Sequence, residues 1–162
     1  MKNLQIFFIL SKTMFDILKL FLFGLVATFA LAKLEIHIEG KHGWARKLPT
    51  WRVKNEFTRF LYGKTPFTGY HMWLNIFLII VSQFPFVIGV PWSISLELKI
   101  LAMLLLGAVM EDFWWIVLNP SYGLKKFTKK HIHWHRWVGP LPAMYSTLLF
   151  ISILLLNISL FV

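Results

Sequence analysis

Four stretches of this chain each carry about twenty mostly apolar residues, the length a helix needs to cross the hydrocarbon of a bilayer. They run over 14–34, 72–92, 94–118 and 141–162. Backbone polar groups in hydrocarbon must be satisfied within their own segment, so such stretches predict helices. The fold class expected is therefore all-α: an integral membrane bundle of four transmembrane helices in a single membrane domain, 1–162. Pro85 interrupts the second stretch and predicts a kink. Residues 1–10 are apolar but too short to span, so they lie in the interface or extend the first helix. Ala30-Leu31-Ala32 has the small-residue pattern of a signal-peptide cleavage site. Cleavage there is a rival reading and would leave three spans.

Composition bears on the same point. Hydrophobic residues make up 57% of the chain and the mean hydropathy is +0.65, too apolar for an ordinary soluble domain. The absence of Cys excludes disulfides, thiolate zinc sites, iron–sulfur clusters and a Cys nucleophile. The net charge of +10 would suggest nucleic acid in a soluble protein. Here the basic residues adjoin apolar spans, so the expected partners are membrane lipids with anionic headgroups, and no nucleic acid.

Lys and Arg also set the orientation. Lys33, Lys41, Arg46, Lys47, Arg52, Lys54, Arg59 and Lys64 fall around the first long loop. Lys125, Lys126, Lys129, Lys130 and Arg136 fall in the loop ahead of the fourth stretch. Only four of the 17 basic residues lie elsewhere. The positive-inside rule puts both loops in the cytoplasm and both termini outside. Within the first loop, Val53, Phe57, Phe60 and Leu61 form one helical stripe beneath Arg52, Lys54, Asn55, Glu56 and Arg59. That pattern predicts an amphipathic interfacial helix from about Trp51 to Leu61, lying in the membrane surface or packed on the protein's own cytoplasmic cap.

The chemistry gathers at one end. His37, His42, His71, His131, His133 and His135 all fall on the cytoplasmic side of this topology. Glu35 and Glu39 follow the first span. Glu111 and Asp112 lie inside the third, about 12 Å of helix before Asn119. A carboxylate in a span costs several kcal/mol unless it is protonated, paired or bound to a cation. An ion pair with a loop Lys or Arg is the plain alternative. His131, His133 and His135 present two imidazoles on one face of a helix, or three on an extended strand. Alternatively they belong to an interfacial segment anchored by Trp134 and Trp137. Glu39-Gly40-Lys41-His42 has the Glu-x-x-His spacing of di-iron bundles, but Gly40 and Gly43 favour a turn.

The candidate metal ligands are Glu39, His71, Glu111, Asp112, His131, His133 and His135. Carboxylate and imidazole without sulfur suit iron, manganese or zinc. No phosphate loop, Gly-x-Ser-x-Gly elbow or His-Glu-x-x-His occurs. The histidines are too few for the boxes of membrane desaturases, and none sits where a bis-histidine haem needs it. Catalytic residues are not assigned.

Ile38-Glu39-Gly40-Lys41, Gly43-Trp44-Ala45, Leu48-Pro49-Thr50-Trp51-Arg52, Thr68-Gly69-Tyr70-His71, Glu111-Asp112-Phe113-Trp114, Val117-Leu118-Asn119-Pro120 and His133-Trp134-His135 together resemble a group of small uncharacterised prokaryotic polytopic membrane proteins. The resemblance covers about residues 35 to 140. It implies four spans and a prokaryotic plasma (inner) membrane, and it implies no activity.

Three functions stay open. The first is a metal-dependent hydrolase or oxidase acting on a lipid or other amphiphile at headgroup depth. The second is a non-enzymatic accessory or scaffold subunit, a homo-oligomer or part of a membrane complex, docked on anionic lipid. The third is a proton or ion pathway through Glu111, Asp112 and His71. For this last, the far half of the bundle offers only Asp16 and Glu97.

Overall fold

A computed structural model describes residues 2–56, 58 and 65–162. The protein is mostly helical. Helix α1 is Lys2–Glu39, α2 Gly69–Ser82, the short α3 Phe84–Val87, α4 Ile94–Leu118 and α5 Ala143–Ile158. Two ribbons of two residues per strand join the ends: β1 (Arg52–Val53) with β2 (Phe67–Thr68), and β3 (Trp137–Val138) with β4 (Leu141–Pro142), both antiparallel. A 3-10 turn, Leu124–Lys126, follows α4.

Among the described residues, two helices are long and apolar enough to cross a membrane: Met14–Glu39 within α1, and α4. Helix α4 matches the expected third span because both its ends are marked. Ser93 caps the start, its side chain accepting from the Leu96 amide, and Asn119 turns extended before Pro120. Helix α1 runs beyond both ends of the first expected span. The apolar N-terminal segment extends it, and its C-terminus continues through Glu35 to Glu39. Gly40, at φ +66°, then stops it.

The second and fourth stretches yield shorter helices than expected. Helix α2 ends at Ser82, and Pro85 starts α3 instead of merely bending one helix. Pro142 lies in β4 and delays α5 until Ala143. At 14 and 16 residues, α2 and α5 rise about 21 and 24 Å, short of the roughly 30 Å hydrocarbon core.

The expected interfacial helix is corrected at its start. Trp51 to Val53 is extended, with the Gly69 amide donating to the Trp51 carbonyl at 3.1 Å. The Arg52 guanidinium is held there by the carbonyls of Ala45, Leu48 and Thr50. A helical turn opens only after Asn55, whose side chain and that of Thr58 each accept from the other's amide. Phe57, Phe60 and Leu61 lie outside the described residues.

Helix α4 is the hub. It lies between α1 and α5, parallel to the first and antiparallel to the second. Small residues permit the approach. Ala102 is fully buried and its carbonyl accepts from Ser152 of α5 at 2.8 Å. A Cβ on Gly107 would stand 3.5 Å from Thr28 of α1. Toward the loop end, Ala32 and Ile36 of α1 pack with Trp115 and Ile116 of α4 and with Ile132 of the last loop. Tyr122, Phe127, Trp134 and Trp137 close that end as an aromatic cap.

Candidate functional site

The loop end of the bundle gathers four of the chain's seven acids. Glu35 and Glu39 stand four residues apart on α1 and share one of its faces. Glu111 and Asp112 come from α4. The Glu111 carboxyl stands beside the Glu35 carboxyl, close enough for the two charges to repel. Its Oε1 is buried and, among the described residues, has no hydrogen-bond partner. Glu35 and Glu39 are buried. Among the described residues, no Lys or Arg is ion-paired to any of the four. The alternative of an ion pair to a loop cation therefore finds no support in the contacts present.

Hydroxyl and imidazole groups ring the acids. The Tyr70 hydroxyl donates to Glu35 Oε1 at 3.0 Å. The Tyr145 hydroxyl donates to Asp112 Oδ2 at 2.5 Å, and His135 Nε2 lies 3.0 Å from that same oxygen. His71 Nε2 lies 3.9 Å from Glu39 Oε1. Thr68 places that imidazole: it caps α2 by accepting from the His71 amide, and its hydroxyl bonds His71 Nδ1 at 2.6 Å. The Trp44 ring packs on the other side, 4.6 Å from the His71 centroid.

Glu39 is held by the loop that ends α1. Gly43, Trp44 and Ala45 follow one another at φ +59°, +51° and +50°. Successive left-handed residues turn their amides to one side and make a concavity for an anion. The Ala45 amide donates to Glu39 Oε1, and the Trp44 amide also bonds that carboxylate. Non-glycine residues in this region cost of order 1–3 kcal/mol each. Gly43 is required twice over, since a Cβ there would lie 2.8 Å from the Trp115 ring. Asn119 locks the arrangement from α4, donating to the Gly40 carbonyl at 3.0 Å.

Five of the seven expected ligands thus reach the same end: Glu39, His71, Glu111, Asp112 and His135. His131 and His133 do not join them. His131 is exposed and bonds Thr128 at 2.9 Å, and His133 is exposed beside Trp134. The segment is neither helix nor strand. Ile132, fully buried between them, turns both neighbours outward. His37 is exposed, bonded to the Lys33 carbonyl. Burial, then the charges of Lys47, Lys41 and Arg46, hold His42 below the usual imidazole range. It faces cations and is no part of the acid cluster.

Sequence reasoning placed Glu35 at this end but left it out of the ligand set, and it passed over Tyr70 and Tyr145. The spacing of Glu35 and Glu39 is the one signal that pointed to the first. Nothing distinguishes the two tyrosines from interfacial anchors until the helices are packed. Among the described residues, no three His, Asp or Glu side chains are gathered closely enough to hold a metal ion as they stand. They are gathered in pairs. A groove of about 590 Å³, lined by Leu48, Trp51, Tyr70 and Trp73, opens beside Tyr70.

Comparison with protein-family models, with curated proteins and with solved structures finds no match.

Proposed function

We propose that this is a four-span protein of a prokaryotic inner membrane, whose cytoplasmic end binds a divalent cation in its carboxylate cluster. The observation that carries the reading is the Glu35–Glu111 contact, with Glu111 Oε1 buried and unpartnered. Two ionised carboxylates about 4 Å apart repel by about 4 kcal/mol at an effective dielectric of 20. Such a pair needs a shared proton or a cation between its oxygens. Among the described residues no Lys or Arg is paired to the cluster, so a bound ion, or a shared proton in its place, supplies the compensation.

Glu35, Glu111, Glu39 and His71 are the ligands in this reading. Two donors each about 2.1 Å from one ion stand at most about 4.2 Å apart, so the 3.9 Å between His71 and Glu39 is within the reach of one ion. Asp112 and His135 already satisfy each other, and with Tyr145 they orient the ligands from behind. His131 and His133 are left out of the set. Iron, manganese and zinc all suit oxygen and imidazole donors. At headgroup depth the natural substrate would be a lipid or other amphiphile; a bound ion would supply activated water for its hydrolysis, or iron would supply its oxidation with dioxygen as the oxidant.

The alternating course of α1, α2, α4 and α5, and the basic residues in the two loops at the cluster's end, support four spans with both termini extracytoplasmic. The resemblance to small prokaryotic polytopic proteins points the same way. The pairwise grouping of donors favours a second reading, a scaffold subunit whose acids share protons. Elemental analysis of the detergent-purified protein separates the two. Stoichiometric iron, manganese or zinc, lowered in Glu111→Gln and His71→Ala, supports the metal centre. A protein that carries none and binds none on addition is the scaffold.

A further inference from the structure

A second groove of about 330 Å³ descends between α1 and α5, with α4 as its floor. Phe21, Leu106, Met110, Phe113 and Leu149 line it, and the exposed part of its wall is wholly apolar. Its upper end is Phe127, Leu141 and Tyr145. Tyr145 is the residue whose hydroxyl donates to Asp112. The groove therefore begins in the apolar depth of the bundle and finishes one side chain from the cluster.

Charge is concentrated at that upper end. Lys125 and Lys126 immediately precede Phe127, and Lys129 and Lys130 follow it. The Arg136 carbonyl accepts from the Ala143 amide at 2.7 Å, which sets Arg136 beside the first turn of α5, below Leu141. Lys126 is engaged with the Ser121 carbonyl. Lys125, Lys129, Lys130 and Arg136 are exposed, and among the described residues none of them is ion-paired to a carboxylate. An apolar slot under a rim of free cations is complementary to one kind of molecule: a hydrocarbon chain carrying an anionic head.

We infer that this groove is a specific site for an anionic phospholipid, with one acyl chain between α1 and α5 and the phosphate over Lys125 and Arg136. The inference rests on the membrane-crossing reading above, and it names the amphiphile class delivered to the cluster. Bilayer lipid is the source, because the groove opens along helices whose outer faces, Phe23, Val26 and Phe150 among them, are exposed and apolar. The Tyr145 ring then forms the wall between the lipid and Asp112, its hydroxyl turned inward to that carboxylate.

The test is native mass spectrometry of the full-length protein, stripped of metal and titrated in detergent with dioleoylphosphatidylglycerol or dioleoylphosphatidylcholine. The wild type should retain phosphatidylglycerol in preference, by about fivefold for each basic residue engaged. Reversing Lys125→Glu and Arg136→Glu together should remove a preference on the order of twentyfold and leave phosphatidylcholine unchanged. Leu149→Trp fills the groove and should lower retention of both lipids. Ile153→Trp, on the exposed outer face of α5, should not. Leu106→Phe repeats the filling from α4 should Leu149→Trp fail to fold. Equal retention of the two lipids by the wild type, or equal behaviour of the groove-filling and outer-face variants, overturns the inference. Because the protein is metal-free throughout, the result is independent of the cation proposal. Resistance to alkaline extraction from membranes separately checks the spanning reading.

Discussion

Glu35 of α1 and Glu111 of α4 stand carboxyl beside carboxyl across the interface of the two helices, and Tyr70 donates to the first of them. Like charges so placed tend to separate the helices that carry them. Metal-free Glu111→Gln should therefore unfold no lower than metal-free wild type, since the amide keeps shape and donates to Glu35. Added manganese or zinc should reverse the order. At a hundred times its dissociation constant, a bound ion stabilises by about 2.7 kcal/mol, or about 5–10 °C for a chain of this size. Wild type should gain that shift and Glu111→Gln should not, as read by near-ultraviolet circular dichroism in detergent. Equal shifts would place any ion elsewhere.

Asp112 is held by Tyr145 and His135 on one oxygen. Hydrogen bonds to a charged group contribute about 1.5–3 kcal/mol, more than neutral ones. Tyr145→Phe should destabilise by about that amount. Tyr122→Phe, which loses only an exposed bond of 3.2 Å to the Lys41 carbonyl, should cost under about 1 kcal/mol. His135→Ala combined with Tyr145→Phe should cost less than the sum of the singles, because both partners serve one carboxylate. Denaturant midpoints of the four proteins check it, and strict additivity would mean that the two bonds are independent.

How much of this was legible depended on what each residue had to satisfy. Helix α4 was read end to end because its apolar run is bounded by Ser93 and Asn119-Pro120. The ends of α2 and α5 were misplaced because hydropathy does not register the backbone cost of Pro85 and Pro142. For the site, Glu111 and Asp112 declared themselves through the cost of acids among Phe113, Trp114 and Trp115. His131 and His133 misled because an imidazole's direction follows its neighbours, and the anchor in that segment is Ile132. The tyrosine donors and the nest around Glu39 depend on contacts 33 to 35 residues apart and on backbone handedness. Neither has a signature in local sequence.

Gly43 permits a comparison between glycines. Its φ is +59°, and an added Cβ would meet Trp115 at 2.8 Å. Gly123 has φ +77° with nothing within 4 Å of the same position. Gly123 has ψ 168°, a region essentially reserved for glycine, so Gly123→Ala should cost about 1–3 kcal/mol from the backbone alone. Gly43→Ala should add overpacking of about 1–3 kcal/mol and shift the loop that cradles Glu39. Thermal unfolding of the two variants measures the difference. Equal losses would show that the Trp115 ring gives way freely.

Reporters test the proposed orientation of the site directly. Thirteen basic residues lie around the two loops at the cluster's end, and the short connection at 83–93 carries none. A basic loop resists translocation, so the cluster should face the cytoplasm. Alkaline phosphatase fused after Val162 should be active, because it folds only once exported, and green fluorescent protein fused there should be dark. Green fluorescent protein inserted after Leu124 should fluoresce. The exposed 3-10 turn at Leu124–Lys126 accepts such an insertion without breaking a spanning helix. The opposite pattern at both positions would invert the bundle. A cytoplasmic signal at both would mean that α5, at 16 residues, does not cross.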